Sequence, residues 1–170
     1  MSELTEIKSN RFDEEEPKVG SLNHGLAQGQ IIVLLSADKR FRIIPELSLD
    51  TSSIDLIQFG LKAQRELIPD ICVYPHTLRR KRRDILRMTE MPLLVIEIVS
   101  PLQGIEEILA KFDAYFALGI KSGWLVVPPN ESVTVYSSPE DFKTFGTNDN
   151  EVIDSVLDIC LPNRAIFGEE

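Results

Sequence analysis

One carboxylate interrupts the most apolar run of the chain, Leu94-Val95-Ile96-Glu97-Ile98-Val99. Burying a charged Glu97 costs several kcal/mol unless the group is paired, protonated or bound to a cation. Asp70 raises the same question in Ile68-Pro69-Asp70-Ile71-Cys72-Val73, where the chain enters an apolar strand. If the two strands are neighbours, both carboxylates converge on one point at the edge of the sheet. Two hard oxygen donors on a rigid framework suit Mg²⁺, which commonly takes one or two carboxylates and fills its shell with waters and substrate phosphate. Each acid also has a plainer reading. Asp70 after a proline is a good turn or cap residue, and Glu97 could pair with a buried arginine.

A third group, Lys111, follows Glu97 on the helix that its strand feeds. On a helical wheel it borders the apolar stripe near Ile108 and Tyr115, so its stem packs while the ammonium reaches toward the sheet end. Glu107 stands one turn earlier. A solvated Glu107/Lys111 pair, worth about 0.3–0.5 kcal/mol, is an alternative that spacing leaves open. Between the Asp70 and Glu97 segments lie Arg79, Arg80, Lys81, Arg82, Arg83 and Arg87, a third of the 18 basic residues. Beside a metal site such a loop would contact DNA phosphates with salt-sensitive, sequence-independent affinity. Alternatively it is a solvated hairpin or short helix whose charge blunts an exposed edge, or it pairs with acidic chain elsewhere. His24 and His76 have no metal-ligand spacing, and His24 reads as a cap or packing residue. Tyr115 and Trp124 read as core aromatics, and Cys72 and Cys160 as small buried thiols.

These groups need a scaffold to hold them. Residues 1–18 are polar and acid-rich, with no useful periodicity, and read as a mobile arm; residues 19–170 are expected to form a single domain. Leu22 to Leu35 fits a helical face, although Ile31 to Leu35 alone would suit a strand. Phe41 to Leu49 alternates like a strand, with Pro45 implying an edge or bulge. Leu61 to Leu67 and Ile71 to Tyr74 read as strands flanking Pro69-Asp70, and Leu93 to Val99 as a central strand buried on both faces. Gln103 to Leu118 is an amphipathic helix that Gly119 can end. Strands follow at Trp124 to Val127 and Ser132 to Ser137, around a Pro128-Pro129-Asn130 turn, and at Val152 to Ile159. The class is α/β, with a strand–helix–strand unit at its centre.

Composition sets limits on function. With 27 acids against 18 Lys and Arg, the net charge of −9 argues against a uniformly basic nucleic-acid-binding coat. No run approaches the roughly 20 apolar residues that cross a bilayer. The acidic start does not resemble a secretory signal, so a reducing, cytoplasmic setting without a membrane partner is expected.

Taken in order, Pro69-Asp70-Ile71-Cys72-Val73, Leu94 to Pro101 with Glu97 inside it, Glu107, Lys111, Tyr115, Gly119 and Gly123-Trp124-Leu125-Val126-Val127 resemble the Uma2 family. That family, formerly a domain of unknown function and common in cyanobacteria, is described as restriction endonucleases. The likeness runs from about Leu22, through Asn23-His24-Gly25, to Leu161-Pro162 and Phe167. It implies the restriction-endonuclease-like fold of the PD-(D/E)XK superfamily, a mixed central sheet flanked by helices, with Asp70 and Glu97 as metal-binding acids. The superfamily lysine two residues after the glutamate is replaced here by Val99, and Lys111 matches its displaced position on the next helix. Glu107 stands where relatives often carry aspartate. The implied chemistry is Mg²⁺-dependent, with Mn²⁺ a substitute, and hydrolyses DNA. Asp70, Glu97 and the Val99 backbone carbonyl would hold the metal, Lys111 would act on water and phosphate, and Ser100 and Glu107 would support them. DNA is the expected partner and a homodimer the expected assembly. The alternative is a catalytically inactive nuclease fold that binds nucleic acid or protein. Action on RNA or a nucleotide would use the same residues.

Overall fold

In the computed structural model of the chain, residues 20–168 are described, and the arm expected over residues 1–18 lies outside them. Helix α1 (Leu22–Ser36) begins at Ser21, whose hydroxyl accepts the His24 N–H at 3.3 Å and so satisfies one orphan donor of the first turn. Its buried residues, Ala27, Ile31 and Leu35, recur every four positions. That stripe carries Ile31 to Leu35 into the helix rather than into a strand.

Ten short strands, two more α-helices and two short 3-10 helices follow in the described residues. β1 (Phe41–Pro45) is an edge strand, where the missing N–H of Pro45 is tolerated. β2 (Leu49–Asp50) and β3 (Glu66–Leu67) form a separate two-stranded ribbon. β4 (Ile71–Pro75) and β5 (Leu94–Ile98) lie side by side at the centre, followed by α2 (Ile105–Ala117) and β6 (Ser122–Val127). β7 (Ser132–Tyr136) and β8 (Phe142–Phe145) complete a six-stranded sheet of order β1-β4-β5-β6-β7-β8. Its one parallel neighbour pair is β5–β6, which α2 joins as the crossover that parallel strands require. β9 (Glu151–Asp154) and β10 (Ile159–Pro162) form a separate hairpin, and α3 (Asn163–Ile166) ends the described fold.

The central strands of the sheet are buried on both faces, and the two-residue strand period divides the core. Leu94, Ile96 and Ile98 of β5 pack with Trp124, Val126 and the inner residues of α1 on one side. Val95 packs with Ile108, Phe112 and Tyr115 of α2 on the other. Gly123 is required there: a Cβ would meet the Phe112 ring at 2.7 Å, so only glycine lets α2 approach β6 this closely.

The expected elements differ from the structure in several places; the strand expected over Phe41 to Leu49 breaks after Pro45 at Glu46, whose φ is 50°, and its two ends join different sheets. The strand expected over Leu61 to Leu67 shortens to Glu66–Leu67, because its partner β2 offers two residues only. Val152 to Ile159 is two strands, reversed at a turn that Asp158 closes at φ 54°. β8, unanticipated, is mostly exposed and lacks a clean alternation. Cys160 is exposed, because the period that turns Ile159 and Leu161 inward turns it out; Cys72 is buried, and both thiols are free. Among the described residues no helix is long and apolar enough to cross a membrane.

A fully buried carboxylate ties the β9–β10 hairpin to the sheet. Asp154 Oδ2 accepts the Ser122 hydroxyl at 2.5 Å and the Trp124 Nε1–H at 2.9 Å, while Oδ1 accepts the Val156 and Leu157 N–H groups. Four donors satisfy the charge, so its removal strands them in the core. We expect Asp154→Ala to lose about 3 kcal/mol or more in urea unfolding; a loss under about 1 kcal/mol would contradict a role in holding the hairpin.

Candidate active site

The β4–β5 register pairs Ile71 with Ile96 and Cys72 with Val95. Continued by one residue, it sets Asp70 opposite Glu97. Both acids share the strand parity of Cys72 and Val95, which face α2. The two sequence-predicted carboxylates therefore stand on one face, at the end where β5 feeds α2. Asp70 Oδ2 accepts the Ile98 N–H at 2.6 Å, so the carboxylate takes the place of a ladder carbonyl. The Asp70 carbonyl is held by the Glu46 N–H at 3.1 Å and the Gln28 side-chain amide at 3.0 Å.

Glu97 is 2% exposed, and its Oε1 accepts the Tyr115 hydroxyl at 2.6 Å. Burial first, then the charge of Glu97 and this hydrogen bond, push the Tyr115 pKa well above the ordinary phenol value. Tyr115 thus remains a proton-bearing donor. It is a core aromatic as expected, and it also orients the buried acid, a role its apolar surroundings concealed.

Lys111 falls inside the buried stripe of α2, with Ile108, Phe112 and Tyr115, rather than at its border. Its side chain is 9% exposed against 59% for Glu107, and Nζ lies 3.8 Å from Glu107 Oε1. A solvated pair would expose both partners, so that alternative does not describe this contact. Lys111 lies one turn before Tyr115, on the helix face that reaches Glu97. Val99 and Ser100 lead out of β5: the Val99 N–H bonds the Val126 carbonyl at 2.9 Å, and the Ser100 carbonyl accepts the Gln103 N–H at 3.1 Å.

His24 joins the site although sequence reasoning set it aside. Its Nε2 lies 3.1 Å from Asp70 Oδ1, with both side chains largely buried. It does not cap α1; its backbone N–H is the group that Ser21 caps. Gln28, one turn on, reaches the same residue through the Asp70 carbonyl. The signal was the polar i, i+4 pair His24/Gln28 on the flank of a helix that carries no charged residue. The hydrogen bond to Asp70 raises the His24 pKa, burial opposes it, and the charges of Asp70, Glu97 and Glu46 add to it.

The basic residues are placed differently. Their loop leaves β4 at Pro75 and rejoins β5 at Leu94, the strand ends opposite the acids. Five residues of strand separate Asp70 from Pro75, about 16 Å. Arg79, Arg80, Lys81, Arg82, Arg83 and Arg87 are all exposed. Arg87 Nε lies 3.6 Å from Glu66 Oε2 of β3, while Met88 bridges Leu49 of β2.

The donors available to a metal are oxygens: Asp70, Glu97 and the Val99 carbonyl. No three His, Cys, Asp or Glu side chains form a ready metal cage among the described residues. Mg²⁺ does not need one, since one or two carboxylates with water and phosphate complete its shell. A carboxylate oxygen has two lone pairs, so the bonds from His24 and Ile98 leave Asp70 acceptor capacity.

The His24–Asp70 contact has a pH signature. In metal-free protein, His24 should titrate above its ordinary value of about 6.5 when followed by imidazole NMR, and Asp70→Asn should bring it down. Because the folded-state pKa is raised, the stabilisation is whole below pH about 6.5 and is lost as pH rises through the folded-state value. A midpoint at or below the ordinary value would contradict the pairing.

Comparison with known proteins adds the family. No curated protein matches the chain. Among solved structures it is similar to "a putative nuclease belonging to DUF820" from Anabaena variabilis ATCC 29413, at 19% identity and a TM-score of 0.70, covering 88% of this chain and 83% of that one. This likeness and the six-stranded mixed sheet agree with the restriction-endonuclease-like fold expected from the sequence. The family described as "Uma2: Putative restriction endonuclease" matches residues 8–160. With most of its length covered, the chain belongs to the Uma2 family.

Proposed function

We propose that the protein is a divalent-metal-dependent DNA endonuclease whose active site is Asp70, Glu97 and Lys111. The observation that carries this reading is the placement of Asp70 opposite Glu97 on the α2 face of adjacent central strands, beneath the buried Lys111–Tyr115 stripe. Family membership supports the same class of activity.

Asp70 and Glu97, with the Val99 carbonyl, are the groups that would hold Mg²⁺ or Mn²⁺. Bound there, the cation supplies Lewis acidity to a phosphate oxygen and lowers the pKa of water. The remaining steps fall to the chain's own groups. Lys111 orients or deprotonates the attacking water and offsets charge on the phosphate as the bond to the leaving oxygen breaks. Tyr115 fixes the Glu97 carboxylate through its 2.6 Å hydrogen bond, and His24 fixes Asp70 through Oδ1. Glu107 restrains the Lys111 ammonium, and Ser100 holds the turn that sets Val99. The exposed basic loop, rooted at the far ends of β4 and β5, contacts phosphates further along the nucleic-acid strand. It thereby recruits DNA to a chain whose net charge is −9.

Purified wild-type protein should nick plasmid DNA in Mg²⁺. Asp70→Ala and Lys111→Ala should each slow nicking by about 100-fold or more, while thermal melts confirm that the variants fold. Wild-type inertness toward several DNAs in both Mg²⁺ and Mn²⁺, or variants as active as wild type, would overturn the reading. Inert protein that still bound DNA would match the catalytically idle alternative.

A further inference from the structure

Beside the acids lies a pocket of about 550 Å³. One wall is Val99 and Ser100, which continue β5 beyond Glu97; another is Asn23, next to His24 at the start of α1. Val99 shares the face of Glu97 and follows it by two residues, about 7 Å along the strand. Apart from the Ser21 hydroxyl, the rest of the lining is apolar or an uncharged amide: Leu22, Ile105, Pro128 and Gln103 are representative, and no lining residue is charged.

The lining offers a phosphate no Arg or Lys, and most of it is apolar. The volume falls within the range of about 300–1,000 Å³ that holds a ring-sized organic group. Flat apolar walls with a few amide groups suit a nucleobase: apolar side chains cover its faces, while Asn and Gln read its edge with paired hydrogen bonds. The position agrees, because a strand with one phosphate at Asp70 and Glu97 brings a neighbouring base to the Val99–Ser100 wall.

We propose that this pocket binds an unpaired base next to the scissile phosphate, so the preferred substrate is single-stranded or locally unpaired nucleic acid. The proposal rests on the nuclease reading above, since the phosphate at the acids identifies the ligand as a nucleic-acid strand. A paired base is stacked, with its edge engaged, and cannot enter a pocket without paying for extrusion. Asn23 and Gln103 are its edge-reading residues, and Leu22, Val99 and Ile105 cover its faces.

Isotope-labelled full-length protein titrated with adenosine or cytidine tests the pocket apart from catalysis. Saturable amide shifts are expected at Asn23, Ser100, Gln103 and Ile105, with none from inorganic phosphate. Gln103→Ala should weaken nucleoside affinity about tenfold, and Ile105→Trp, which fills the pocket from a half-exposed position, should abolish the shifts. In parallel, one DNA sequence is offered in Mg²⁺ as a single strand and as a duplex, and the single strand should be cut at least about ten times faster. Absent nucleoside shifts together with equal cutting of both forms would overturn the pocket and leave the nuclease standing. Nucleoside shifts without cleavage of any DNA would overturn the hydrolytic reading and support the base pocket. Shifts of the same amides on diluting the protein alone would assign this surface to a second copy and overturn the proposal.

Discussion

The structure turns on a carboxylate buried in its central strand. Glu97 is enclosed by the sheet and by α2, where an uncompensated charge would cost several kcal/mol. The fold answers with a phenol brought from the facing helix. Tyr115 can reach Glu97 only if α2 crosses the sheet at the right height and rotation. The parallel β5–β6 connection and the Gly123–Phe112 contact help to set both. The same placement buries Lys111 one turn away, so compensating the acid and assembling a candidate catalytic triad are a single packing problem.

The opposite layer fixes the second acid. Asp70 sits at the mouth of β4, where its carboxylate closes the ladder to Ile98 and its carbonyl is tied to Glu46 and Gln28. Through His24 and Gln28, α1 reaches past the sheet edge to the site. The two acids are thus positioned from different sides of the sheet, Glu97 by α2 and Asp70 by α1.

Periodicity and composition exposed the parts whose local chemistry is unusual. Glu97 stood out because it breaks an apolar run, and Asp70 because it follows a proline at a strand entry. The amphipathic pattern placed α2 within two residues of its observed limits. Information carried by long-range contact was not legible in the same way. His24 resembles any polar residue near a helix start until the fold brings Asp70 to it. Asp154 lies within the segment expected as a strand over Val152 to Ile159, and only Ser122 and Trp124, far away in sequence, make it a buried clasp. Cys160 was misread because strand segments were judged by apolarity alone, without the register that decides which side is inside. The basic cluster lies between the two acids in sequence, but the antiparallel turn of the chain carries its root to the far end of the strands. Adjacency in sequence did not become adjacency to the site.

The central claim is that Asp70 and Glu97 together hold one divalent cation. Crystals of the protein soaked in Mn²⁺ would test it by anomalous scattering. The account predicts one strong peak within about 2–2.5 Å of a carboxylate oxygen from each acid, lost in Glu97→Gln crystals treated alike. A well-ordered site with no peak there, or with Mn²⁺ bound only elsewhere, would contradict it.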